Sequence, residues 1–224
     1  EPSSKSLKWG QVLNYKFLIL LFVFAAGCYS KSDKTGVETA ENVIRLALPT
    51  EIKGFDPLYA EDLYSHTALT QIYETLFQYS YLERPYKVEP LLAREMPEIS
   101  RDNLIYTIKI KKGVYFQNDP CFKDGKGNEL TAEDFIYSFK RLADIKNRSN
   151  GWWVFDEKIE GLNEFREKSK TPGKTDYSAK VGGLTAPDRY TLRIKLTKPY
   201  PQLLYILAMS YTAAVPVEAV TSYG

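Results

Sequence analysis

Histidine is almost missing from this chain: His66 is the only one in 224 residues. Cysteine is nearly as scarce, with Cys28 and Cys121 alone. A zinc or metalloprotease centre needs several His, Cys or acidic ligands at defined spacing, and that supply is absent. A Cys–His catalytic pair would have only His66 to draw on, and His66 reads as an ordinary helix residue. Beyond Cys28 a single cysteine remains, so no internal disulfide can form. Cys121 is read as a buried thiol or as the partner of a cysteine outside this sequence. The pattern Gly-x-Ser-x-Gly does not occur, nor does a glycine-rich loop ending in Lys-Ser or Lys-Thr, which removes a nucleophile elbow and a phosphate cradle. The acidic pair Glu133-Asp134 is explained by a helix start rather than by acid–base work. We therefore assign no catalytic residue, no metal site and no cofactor. Net charge is only +2, with both signs mixed along the chain, so the basic stripe of a nucleic-acid binder is missing too.

What is present is hydrophobic and aromatic. Hydrophobic residues make up 44% of the chain, enough for a sizeable core, and tyrosine is frequent at 17 residues. Tyrosine joins an apolar ring to a hydroxyl; these rings serve either a groove for amphipathic ligands or, more simply, core and sheet faces. Near the start, Lys5, Lys8 and Lys16 precede an uncharged run from Phe17 to Cys28. A basic region, a short apolar region and terminal small residues describe a secretory signal. A membrane span needs about 20 apolar residues, and this run is shorter. Residues 29–41 are polar and read as a flexible tether. The chain begins at Glu1 and stops at Gly224 without a closing element, and we read it as a partial sequence.

Alternation in Asn42–Leu48 predicts a strand ended by Pro49. Leu69, Ile72, Tyr73, Leu76 and Phe77 recur at helical spacing and predict a helix from about Tyr64 to Gln78. A short strand at Tyr79–Tyr81 and a turn at Arg84-Pro85-Tyr86 follow. Leu104–Ile110 alternates strongly, with Leu104, Tyr106, Ile108 and Ile110 on one face. Asn118–Glu129 reads as loop. Thr131 opens a helix whose stripe is Phe135, Phe139 and Leu142, with Glu133 and Asp134 at its positive end. A second helix is expected over Glu160–Lys168, another alternating strand over Tyr190–Leu196, and an apolar helix over Gln202–Met209 after Pro201.

Several blocks, in order, resemble a known family. Leu130 to Arg141, reading Leu-Thr-Ala-Glu-Asp-Phe-Ile-Tyr-Ser-Phe-Lys-Arg, is similar to the signature of the family 5 extracellular solute-binding proteins, the oligopeptide- and dipeptide-binding components of ABC importers. Phe55-Asp56-Pro57 followed by Ile72-Tyr73-Glu74-Thr75-Leu76-Phe77 resembles that family's opening pattern. Pro90-Leu91-Leu92-Ala93, Tyr106-Thr107-Ile108 with Lys112-Gly113-Val114-Tyr115-Phe116, Pro187 to Leu192, Leu196 to Pro201 and Val215 to Glu218 resemble its later blocks. The insert Asp119-Pro120-Cys121-Phe122 lengthens the usual loop. Ala25-Ala26-Gly27-Cys28 resembles the lipobox of bacterial lipoproteins, with Ala25 where leucine is usual; the resemblance implies cleavage before Cys28 and a lipid anchor on its sulfur. An ordinary signal with a chance cysteine is the alternative.

The resemblance implies a mixed α/β fold: a two-lobe clamshell like the type II periplasmic-binding proteins, with an extra domain, of which only the N-terminal part is present. On that pattern residues 1–28 are the lipoprotein signal peptide and 29–41 the tether. Residues 42–73 are the first segment of lobe one, 74–215 the extra domain, and 216–224 the start of the return to lobe one. It implies a monomer, not an enzyme, that takes a peptide ligand, meets ABC permease subunits and sits outside the cytoplasmic membrane on its lipid anchor. It places ligand contacts at Glu61, Asp62, Leu63 and Tyr64, in a stretch from Ala60 that matches the family's ligand-lining segment; a solvated loop before a helix is the alternative. A second candidate is Gly151-Trp152-Trp153, where Trp152 and Trp153 either wall a pocket or pack the extra domain. Relatives of this family bind nickel complexes, haem or sugars on the same fold, and a signalling or adhesion lipoprotein without a transporter is a further alternative.

Overall fold

The computed structural model describes residues 47–59 and 61–224, and the body they form runs Leu48–Gly224. The signal segment, Cys28, the tether and most of the expected strand Asn42–Leu48 lie outside the described residues; Ala47 and Leu48 are not in a strand.

The centre of the body is a four-stranded antiparallel sheet. It is built from β3 (Glu98–Ile99), β4 (Ile105–Lys109), β5 (Leu184–Asp188) and β6 (Thr191–Lys195), in the order β3-β4-β6-β5. The alternation in β4 decides which face is buried. Tyr106 lies opposite Ile194 and Ile108 opposite Leu192, and all four are buried. The intervening pair, Thr107 and Arg193, takes the other face. Strands β3 and β5 are the edges, and β5 is irregular. Its register breaks between Thr185 and Asp188, around Pro187, a residue with no N–H to give a ladder.

Helix α2 (Ala132–Ala143) covers the buried face. Its Phe135, Phe139 and Leu142 are fully buried as the sequence stripe predicts, and the Phe139 ring lies 4.8 Å from that of Phe155. The helix start is a capping box. The Asp134 carboxylate accepts the Thr131 N–H at 2.7 Å and its hydroxyl at 2.8 Å. Helix α3 (Leu162–Ser169) packs beside it, and Arg166 donates to the Ala143 carbonyl at 3.0 Å, satisfying one of the open carbonyls at the end of α2. Val215 N–H donates to Ser138 Oγ at 2.9 Å, which ties the chain before α5 (Val217–Tyr223) to the same helix.

Several elements differ from the sequence reading. The helix expected from about Tyr64 to Gln78 is only α1, Leu63–Leu69. Leu76 and Phe77 are buried, but in and beside strand β1 (Phe77–Tyr79), which pairs with β2 (Val88–Pro90). Ile72, central to the presumed stripe, is 58% exposed. Five apolar residues at helical spacing thus come from two elements joined by a turn, an ambiguity inherent in short apolar runs. The strand expected at Tyr79–Tyr81 accordingly lies two residues earlier. The apolar helix over Gln202–Met209 shrinks to α4, Leu203–Ile206. Its residues are held by packing on β1, where the Tyr205 ring is 6.0 Å from that of Tyr79, rather than by a long helical ladder.

Candidate ligand-binding segment

The stretch from Asp56 to His66 is fastened from three sides. Asp56 folds the 3-10 turn Pro57–Tyr59 over itself: its Oδ1 accepts Leu58 N–H at 3.0 Å and its carbonyl accepts Tyr59 N–H at 3.1 Å. The same carboxylate receives the Arg141 guanidinium, with Nη2 at 2.7 Å from Oδ2 and Nη1 at 3.4 Å from Oδ1. Arg141 stands in the last turn of α2, its side chain 8% exposed. A buried guanidinium requires a partner, and the planar fork matches a carboxylate in two-point fashion. From a second side, Ser149 Oγ donates to the Leu58 carbonyl at 3.0 Å and accepts Gly151 N–H at 3.1 Å. From a third, His66 Nδ1 meets Ser210 Oγ at 2.8 Å.

Within this frame Asp62 caps α1. Its Oδ1 accepts Tyr64 N–H at 3.0 Å and Ser65 N–H at 2.9 Å, and its Oδ2 accepts the Ser65 hydroxyl at 2.7 Å. These bonds, Ser65 N–H first among them, hold its carboxyl below the ordinary value. The stretch from Asp62 to Tyr64 is a cap and a helix start. Ala60 lies outside the described residues, Asp62 has extended backbone, and Leu63 and Tyr64 are already helical. The physical reason is that an aspartate two and three residues ahead of open N–H groups gains more by capping than by extending. Glu61 is exposed and Leu63 is 70% exposed; among the described residues Glu61 has no cation within 4.0 Å. Tyr64 is half-buried.

Trp152 and Trp153 part company. Trp152 packs against the main core, and the Arg166 guanidinium lies 4.7 Å from its ring. Trp153 is 53% exposed. Among the described residues no hydrogen bond or ring contact joins either of them to Glu61–Tyr64. Tyr211 is the link between the two segments. A side chain on Gly151 would fall 2.7 Å from the Tyr211 Cγ, and the Tyr211 phenol is pushed up by burial and then by the charge of Glu61. Tyr211, Arg141, Ser149 and Ser210 were not singled out as functional in the sequence. Arg141 carried the one available signal, a charge at the end of an otherwise buried helical stripe.

Cys121 is half-buried, and its N–H donates to Asp119 Oδ1 at 2.8 Å. Burial, and then Asp119, push its thiol up. That is the direction opposite to an activated nucleophile. It lines a cavity of about 700 Å³ with Phe116, Phe122 and Tyr223.

The family model for bacterial extracellular solute-binding proteins, family 5 middle, matches residues 87–222. A dipeptide-binding protein of Lactococcus lactis is 23% identical over 219 residues, covering 97% of this chain and 35% of that protein. Among solved structures, the pheromone receptor PrgZ, described with its mode of peptide binding, is 26% identical with a TM-score of 0.64, over 78% of this chain and 31% of that one. OppA of Listeria monocytogenes bound to peptide is 26% identical with a TM-score of 0.60, over 75% of this chain and 30% of that one. The chain thus spans about a third of the length of the relatives it matches. The mixed α/β fold is that of the family's peptide-binding proteins, and the chain belongs to the bacterial extracellular solute-binding proteins of family 5.

Proposed function

We propose that the protein is the substrate-binding component of an ABC importer. It captures peptides outside the cytoplasmic membrane and hands them to permease subunits, acting as a binder rather than a catalyst. Relatives named or solved as peptide binders support the ligand class. The observation that carries the reading is the locked segment Asp56–His66. Ser149 holds its backbone at Leu58, and Arg141 and Ser210 hold the side chains of Asp56 and His66, while Tyr59, Glu61 and Leu63 remain exposed. A surface ordered before the ligand arrives loses little entropy on binding. Asp62 is engaged in its cap, so Glu61 is the acid left to meet a cationic group of a ligand, with Leu63 as its apolar neighbour. Closure of a second lobe over this face would hold the ligand, since a guest bridging both lobes favours the closed state by its differential affinity. Trp153 is proposed as a further contact at the rim, with Trp152 behind it. Cys28 is proposed as the site of the lipid anchor.

The test is mass spectrometry of small molecules released on denaturing the intact protein purified from its own host. Peptides are expected. A consistently non-peptidic species, such as a metal chelate, haem or a sugar, would overturn the peptide reading and leave the solute-binding fold in place.

A further inference from the structure

Beside the start of β6 the chain builds a second recess. We propose that this recess, beside the turn Lys111-Lys112-Gly113, is a binding site for a phosphate group carried as a dianion. The recess measures about 810 Å³ and its wall holds five cations, Arg94, Lys109, Lys111, Lys112 and Arg189, against one carboxylate, Asp188. That volume falls within the range of small-ligand sites, roughly 300–1,000 Å³.

The partners of these charges decide what is left for a ligand. Arg94 pairs with Glu95, Arg189 lies 3.4 Å from Glu129, and Lys109 is 4.0 Å from Asp188. Asp188 also accepts the Thr191 hydroxyl at 2.7 Å and Tyr190 N–H at 2.9 Å. The Tyr190 hydroxyl donates to Glu129 at 2.8 Å. Lys111 and Lys112 have no carboxylate within 4.0 Å among the described residues. They are nonetheless held in place. Lys111 N–H donates to the Leu92 carbonyl at 2.9 Å, and Ile110 N–H to that of Tyr190 at 2.8 Å. Gly113 turns the chain at φ +73° and donates to Glu129 at 2.8 Å. The Lys112 ammonium stands 5.1 Å and the Arg189 guanidinium 5.8 Å from the centroid of the same Tyr190 ring. Two ammonium groups without a carboxylate within 4.0 Å among the described residues, carried on a hydrogen-bonded backbone, match a group bearing two charges. A phosphate carries about −1.5 to −2 near neutral pH, where a carboxylate carries one, and lysine meets it as a point charge.

The experiment is calorimetric titration of the intact protein with inorganic pyrophosphate and, separately, with succinate. It is paired with co-sedimentation on phosphatidic acid and on phosphatidylcholine vesicles. The Lys111→Glu/Lys112→Glu variant and its milder Lys111→Gln/Lys112→Gln counterpart are run in parallel; both positions are exposed. Saturable pyrophosphate binding, weakened about tenfold or more by charge reversal, less by the glutamines, and weakened by raising salt past about 0.15 M, is the expected result for a free phosphate ligand. Binding to phosphatidic acid vesicles alone, lost in the variants, assigns the same chemistry to a lipid headgroup bearing a phosphate monoester. Succinate binding as tight as pyrophosphate, phosphate binding untouched in both variants, or no binding of any phosphate probe overturns the proposal. None of these outcomes bears on peptide capture.

Discussion

Asp62 shows how one side chain can be both conspicuous in a sequence and committed in a structure. Its carboxylate takes two backbone N–H groups and a hydroxyl at the head of α1. Its carboxyl is held below the ordinary value of 3.8 chiefly by Ser65 N–H. A carboxyl whose folded pKa is depressed adds stability above its unfolded pKa and loses it as pH falls through the folded one. Asparagine also caps helices but does not titrate in this range. Asp62→Asn is therefore expected to flatten part of the loss of Tm between about pH 5 and about pH 2, read by thermal unfolding followed by circular dichroism. Superimposable profiles for the two proteins would remove Asp62 from the account.

At the scale of elements, α2 both covers the sheet and anchors the proposed ligand segment. One end carries the capping box at Thr131 and Asp134, and the other sends Arg141 across 85 residues of sequence to Asp56. Removing one partner of a buried pair costs roughly 3–5 kcal/mol, and the exposure of Asp56 sets the expectation for Arg141→Ala near the lower figure. Peptide affinity should fall with stability, because the Pro57–Tyr59 turn loses its clamp. Chemical denaturation and peptide titration of the same variant check both. An affinity change without a stability change would place Arg141 in contact with ligand instead.

The sequence made some of these elements plain and hid others for physical reasons. Strands β4 and β6 and helix α2 have one buried face each, and a single buried face writes its period directly into residue order. Leu69 to Phe77 belongs to a helix, a turn and a strand, whose apolar residues happen to fall at helical intervals. The Asp56–Arg141 pair, the Ser149–Leu58 bond and the approach of Tyr211 to Gly151 join positions far apart in sequence. No local spacing encodes them. The resemblance pointed to Glu61 to Tyr64 as proposed contacts, and it carries no sign of the cap that uses up Asp62.

For the molecule as a whole, the proposed anchor makes the clearest prediction. Cys28→Ser should move the protein from the membrane fraction to the soluble extracytoplasmic fraction while leaving purified peptide binding unchanged. Unaltered fractionation would argue for an ordinary signal or a different mode of retention. The order of the sheet has its own bearing on that route. Strand β4 finds β6 only when a loop of some eighty residues has closed, with Lys109 and Thr191 standing 82 positions apart. Pairings so distant form late, because the entropy of closing the loop is lost before any contact repays it. Until the far strand is available β4 has only the two-residue β3 beside it, so a polypeptide on the proposed export route would still lack its central sheet.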